Sequence, residues 1–119
     1  MAGIKYYPSR KQDKAQVVKS ATANVSLALN DSGSLYYCNS ASPTDITISL
    51  TEANSLSFPI GAQIDFVRSG NGNVIFASAP SNTSIQSSNS ATKIRLQWGA
   101  CSLIKATSNT WILVGDITT

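Results

Sequence analysis

Apolar residues recur at every second position in several short stretches of the chain. Val25, Leu27 and Leu29 alternate with Asn24, Ser26 and Ala28, and Ile46, Ile48 and Leu50 alternate with Thr47 and Ser49. A half-buried strand needs this period of two, because successive side chains point to opposite faces. Residues 35–38, 63–68 (Ile64 and Phe66 inward), 74–77, 93–98, 101–106 and 111–116 read as further strands. Asn30-Asp31-Ser32-Gly33 stops the first, and Ser108-Asn109 turns the last pair. Between residues 63–68 and 74–77 lies Ser69-Gly70-Asn71-Gly72-Asn73, whose Asn-Gly step predicts a tight hairpin. Residues 51–57 predict one short helical turn, closed by Pro59 and Gly61, and residues 79–92 a polar loop with Ile85 dipping inward. Eight or so short strands with no helix long enough for a crossover predict an all-β fold, an antiparallel β-sandwich or jelly roll without a parallel sheet. The run Trp111-Ile112-Leu113-Val114 is apolar on both faces, which fits a central strand or one covered by another subunit.

The first 20 residues break this pattern and read as an extended basic N-terminal arm, leaving residues 21–119 as the sandwich domain. The arm carries Lys5, Arg10, Lys11, Lys14 and Lys19 against Asp13 alone, whereas the rest of the chain is nearly neutral. A basic leader on a neutral body suits contact with nucleic acid or with an acidic protein surface, and also suits a solvated tail. An extended segment of 19 residues reaches about 60 Å, far enough to cross a neighbouring subunit. Tyr6 and Tyr7 supply rigid amphipathic surface for docking, with Lys5, Arg10 and Lys11 giving orientation.

Composition agrees with short strands. Only 13% of the residues are charged, so polarity comes from Ser, Thr and Asn, which pack on pleats and close turns. At 119 residues the chain suits one domain with one core. No apolar run approaches a membrane span and no signal-peptide core is visible, so no membrane partner is expected and synthesis is expected in a cytoplasm. There Cys38 and Cys101 are expected to stay free and buried, and the sequons at Asn24 and Asn82 unused.

Candidate chemistry is sparse. The chain has no His, which removes Ser-His-Asp and Cys-His catalysis within one subunit and, with two Cys far apart, the donors for a zinc site. Asp31, Asp45, Glu52, Asp65 and Asp116 could supply a carboxylate pair, but most stand beside turns, where Asp caps backbone groups, and Asp65 falls on the outward phase of its strand. Gly70-Asn71-Gly72 lacks the following helix that a phosphate loop needs. Trp98 and Trp111, with Tyr36 and Tyr37, could form a stacking platform for sugars or single-stranded bases, but both tryptophans sit in apolar strands and read as core. The expectation is a protein that is not an enzyme and holds no cofactor or metal.

Four fragments in order carry a resemblance: Phe58-Pro59-Ile60-Gly61-Ala62-Gln63-Ile64, Gly70-Asn71-Gly72-Asn73-Val74-Ile75-Phe76-Ala77, Thr92-Lys93-Ile94-Arg95-Leu96 and Thr110-Trp111-Ile112-Leu113-Val114-Gly115-Asp116. This order, over roughly residues 20–117, resembles a β-domain of tailed-bacteriophage structural proteins, found in tail fibres and in head decoration (cement) proteins. The resemblance implies a virion component, commonly a homotrimer, with no catalytic residues. Because neither stem repeats nor a receptor-binding tip accompany the domain, it favours a capsid decoration protein on the capsid exterior, assembled in the host cytoplasm. Its partners would be its own copies and the major capsid protein, docked through Lys5, Tyr6, Tyr7, Arg10 and Lys11. The alternatives are a tail-fibre or spike module that binds a host-surface glycan and, third, a small coat protein whose basic arm faces packaged nucleic acid.

Overall fold

The structure, a computed structural model, describes residues 15–78 and 83–119. Eleven strands are described: β1 (Val17–Ala21), β2 (Val25–Ser26), β3 (Ser34–Cys38), β4 (Ile46–Leu50), β5 (Gln63–Arg68), β6 (Val74–Ser78), β7 (Ser84–Ser87), β8 (Lys93–Ile94), β9 (Ala100–Lys105), β10 (Thr110–Gly115) and β11 (Ile117–Thr118). One short helix, α1 (Glu52–Ser57), stands where the sequence predicts a helical turn. The strands form two sheets, one in the order β1-β3-β5-β9-β10-β7 and the other β11-β8-β6-β4-β2. Inward residues of both, among them Ile46, Ile48, Ile64, Phe66, Val74, Leu103, Trp111 and Leu113, make one core. Phe66 stacks on Tyr36 at 5.7 Å and meets Phe76 edge-on at 4.9 Å, joining the two layers. The expected all-β class and two-layer architecture are therefore present.

The strand directions differ from expectation. The β1–β3, β3–β5, β2–β4, β4–β6 and β10–β7 pairs are parallel. The β5–β9, β9–β10, β6–β8 and β8–β11 pairs are antiparallel. The antiparallel pairing expected of a sandwich or jelly roll is thus corrected to a mixed one. From β1 to β8 each successive strand lies in the opposite sheet. The chain completes a circuit before it returns to a sheet, so it arrives running the same way as before. A strand in the facing layer does here what a helix does in a βαβ crossover.

The loop of residues 69–73 illustrates the point. It joins β5 in one sheet to β6 in the other and is not the hairpin its Asn-Gly step predicts. It packs on the loop of residues 39–44: Ser69 N–H donates to Cys38 O, Gly72 N–H to Ser40 O and Ser42 N–H to Asn71 Oδ1. A Cβ on Gly70 would lie 2.1 Å from Ser40 O, and one on Gly72 2.3 Å from Thr44 O. The glycines serve close approach of two loops. The true local hairpin is β9–β10, turned at Ser108-Asn109 as expected.

Four further boundaries moved. The expected strand through Val25, Leu27 and Leu29 shortens to Val25–Ser26, because Leu29 to Asp31 form a 3-10 turn that leaves Leu29 exposed. The expected polar loop of residues 79–92 contains β7, an edge strand parallel to β10, with Ile85 packed on the core. The expected strand of residues 93–98 shortens to Lys93–Ile94, and residues 17–20 of the expected arm belong to edge strand β1.

Candidate functional site

Alternation along each strand and register across strands give the six-stranded sheet an outward face built of rows. One row runs Val18, Leu35, Asp65, Ser102, Val114; a second runs Ser20, Tyr37, Val67, Ala100; a third runs Gln63, Ile104, Ile112, Gln86. In these rows Asp65 is the one charged residue. The outward positions of the other sheet mix hydroxyls with two small or aliphatic residues and a lysine: Thr47 and Ser49 on β4 stand beside Ile75 and Ala77 on β6, and Lys93 and Thr118 pair across β8 and β11. The two outer surfaces of the sandwich therefore differ in kind.

A groove of about 340 Å³ crosses the first row, lined by Leu35, Asp65, Phe66, Ala100, Cys101, Ser102, Val114 and Gly115. Two neighbouring depressions, of about 280 and 360 Å³, share Val114 with it and extend towards Ser88 and the chain end. Gly115 sits at φ +129°, where the chain leaves β10 for the other sheet, and a Cβ there would lie 2.6 Å from Ala100 O. Glycine thus makes the corner that ends the groove.

Asp65 sits in this groove as a well-served anion. It accepts hydrogen bonds from Gln16 Nε2 (2.7 Å), Gln63 Nε2 (2.9 Å) and Ser102 Oγ (2.6 Å), and pairs with no cation among the described residues. Partial burial works to raise its pKa, but these donors outweigh it and hold the carboxyl below its ordinary range. The Gln16 contact brings the residue just before β1 onto the face of β5.

Strand β1 is tied to the body by one polar cluster. Buried Asp31 accepts from Lys19 Nζ (2.7 Å), Tyr36 Oη (2.7 Å) and Ala28 N–H (2.9 Å). Burial pushes the Asp31 carboxyl up, yet the hydrogen bonds from Lys19, Ala28 and Tyr36 overcome this and leave it below the ordinary value of 3.8. Tyr36 is driven well above the usual tyrosine range by burial and by its bond to Asp31. The unfolded chain therefore binds protons at Asp31 and Asp65 before the folded one does. Their stabilising contribution is complete above the ordinary carboxylate range and is lost as pH falls through the lowered folded values. We expect urea midpoints to fall as pH drops from about 5 towards 2. Asp31→Asn should lower stability at pH 7 and flatten this acid limb; an acid limb unchanged in Asp31→Asn would exclude Asp31 as its source.

Elsewhere the polar groups are spent on the fold. Arg68, inward on β5, donates to Gly70 O, Asn71 O, Ile94 O and Arg95 O and meets no carboxylate among the described residues. Lys105, 3% exposed, donates to Ser55 O and Phe58 O at 2.8 and 2.7 Å, holding the end of α1. Sequence reading passed over both because a Lys or Arg in a strand reads as solvated. The signal was their phase, two residues after inward Leu103 and Phe66. Asp116 forms an exposed pair with Arg95 at 2.6 Å. Cys38 and Cys101 are free and buried, as expected, and burial raises both thiols, Cys38 to about 12. No group of three or more His, Cys, Asp or Glu side chains gathers among the described residues. No described helix is long and apolar enough to cross a membrane.

Of the tryptophans, Trp111 is core, but Trp98 is 63% exposed, which corrects its assignment. Trp98 holds a φ of +69°, rare for a bulky residue, in the turn before β9, and its ring lies 6.4 Å from that of exposed Tyr37. The expected docking residues Lys5, Tyr6, Tyr7, Arg10 and Lys11 lie outside the described residues. The outward face they precede was not singled out from sequence, because its apolar members are spread over five strands. No family profile, curated protein or solved structure matches the chain.

Proposed function

We propose that the chain is a structural virion protein of a bacteriophage: a homotrimeric decoration (cement) protein that sits on the capsid exterior and stabilises the head. The observation that carries this reading is the outward face of the six-stranded sheet, mostly apolar and with one charge in its rows, beside an edge strand whose Val17 and Val18 are 62% and 61% exposed. Edge strands of free-standing proteins are ordinarily guarded by charge, and the one cation of β1, Lys19, is turned to Asp31. Such a surface suits burial against other protein. The resemblance of residues 58–64, 70–77, 92–96 and 110–116 to the phage β-domain supports the same reading.

The test is a shell-binding assay. Purified protein is mixed with empty capsids of its own phage, pelleted and scored for retention, beside a form lacking residues 1–14, which keeps Gln16 and all of β1. Saturable retention that depends on residues 1–14 is expected; no retention of a protein that is trimeric by light scattering rejects the decoration role. A fibre or spike module is the second reading, favoured by the exposed Trp98–Tyr37 pair, since aromatic faces stack on sugars. Glycan binding that is lost in Trp98→Ala, without shell binding, would establish it.

A further inference from the structure

We propose that the groove on the outward face of the six-stranded sheet is filled by residues 4–8, Ile4-Lys5-Tyr6-Tyr7-Pro8, of a neighbouring copy of the chain. This inference deepens the assembly reading above and rests on it.

The groove and the segment fit chemically. The groove offers Leu35, Ala100 and Val114 around a single carboxylate, Asp65, which has three hydrogen-bond donors but no counter-charge among the described residues. Residues 4–8 bring one aliphatic side chain, two adjacent tyrosines and one lysine. Tyrosines bury large rigid apolar bodies while keeping a hydroxyl for a polar neighbour, and a lysine beside them supplies the missing cation. Residues 9–14, Ser-Arg-Lys-Gln-Asp-Lys, have no apolar member and suit a solvated connection.

Reach and direction fit as well. The fourteen residues before Ala15 extend to about 46 Å at about 3.3 Å each, whereas six strands at about 4.8 Å spacing span only about 24 Å. The segment is therefore longer than its own sheet is wide. Strand β1 runs parallel to β3 and β5, so the chain before it is aimed off the end of the sheet where those strands begin. Gln16 is bonded to Asp65 at that end, which fixes the point of departure beside the groove. A segment leaving there, long and aimed outward, meets the corresponding face of an adjacent copy. Repeated around a closed ring, each copy gives one segment and receives one, a head-to-tail interface that needs no symmetric patch.

Site-directed cross-linking tests this without capsids. Tyr6→Cys protein and Val114→Cys protein are prepared separately, mixed and mildly oxidised near pH 8. The native thiols are buried and raised, so the introduced ones react selectively. A disulfide-linked heterodimer is expected, with loss of that species when Ser49→Cys, on the outer side of the other sheet, replaces Val114→Cys. Asp65→Asn and the double variant Tyr6→Ser, Tyr7→Ser should shift the oligomer towards monomer by light scattering without changing far-UV circular dichroism. No heterodimer above the Ser49→Cys control overturns the proposal and leaves the face to a different protein. A Tyr6→Cys, Val114→Cys chain that closes only within itself at high dilution also overturns it, in favour of the chain's own segment. Because no shell takes part, failure of shell binding and failure of arm exchange are read separately.

Discussion

Trp111→Ala lowers the unfolding free energy by about 3–5 kcal/mol, measured as the shift in urea denaturation at constant m-value. Trp111 is fully buried on β10, its ring meets Phe58 edge-on at 5.1 Å, and its Nε1–H donates to Ser55 Oγ at 2.8 Å. Truncation opens a cavity between β10 and the end of α1 and leaves the hydroxyl of a fully buried Ser55 without its donor. Trp111→Phe refills part of the volume but not the hydrogen bond, and should fall between the two. A Trp111→Ala protein of unchanged stability that loses only its oligomeric state would instead place this residue at a subunit contact.

Lys105→Met costs about 2–4 kcal/mol by the same measurement. The substitution keeps most of the volume but removes the ammonium from Phe58 O and Ser55 O. A buried acceptor left without its donor costs about 1–3 kcal/mol. Ser55 O keeps one long bond, from Phe58 N–H at 3.3 Å, so the larger part of the loss falls on Phe58 O. Trp111 and Lys105 both act on Ser55, one on its hydroxyl and one on its carbonyl. The double variant should therefore destabilise by less than the sum, with a coupling of at least about 0.5 kcal/mol. Strict additivity would show that α1 is not held as one unit.

Period-two alternation located most of the strands, since the burial of Ile46, Ile48, Leu50, Ile64 and Phe66 follows it residue by residue. Alternation reports which side of a strand is wet; it carries no information on which strand lies alongside. That is why the close spacing of residues 63–68 and 74–77 suggested a hairpin, while the real neighbours of β5 are β3 and β9. Strand β7 was missed because Ser84, Gln86 and Ser87 are polar and only Ile85 packs on the core, as an edge strand allows. Exposed Trp98 shows the opposite error: a large aromatic ring in an apolar stretch reads as core unless its backbone, here at φ +69°, turns it outward. The candidate face was half legible. The outward phase of Asp65 and the two-sided apolar character of β10 were visible, whereas the rows that join them exist only across strands.

The alternation of successive strands between layers also sets how the chain can fold. Partners within the six-stranded sheet lie far apart in sequence: Val17 with Ser34, Leu35 with Asp65, and Gln63 with Ile104. Among the described pairs, β9–β10 alone closes over a short turn, so it is the natural place for a nucleus. Everything else must wait for distant segments to meet, and proteins dominated by such pairings fold in milliseconds to seconds rather than microseconds. During synthesis the N-terminal strands emerge well before β9 and β10, so the edge of β5 that β9 pairs with stays open until residues 100–104 have been made. A nascent copy is therefore open, through that edge, to pairing with other strands while it is still being made.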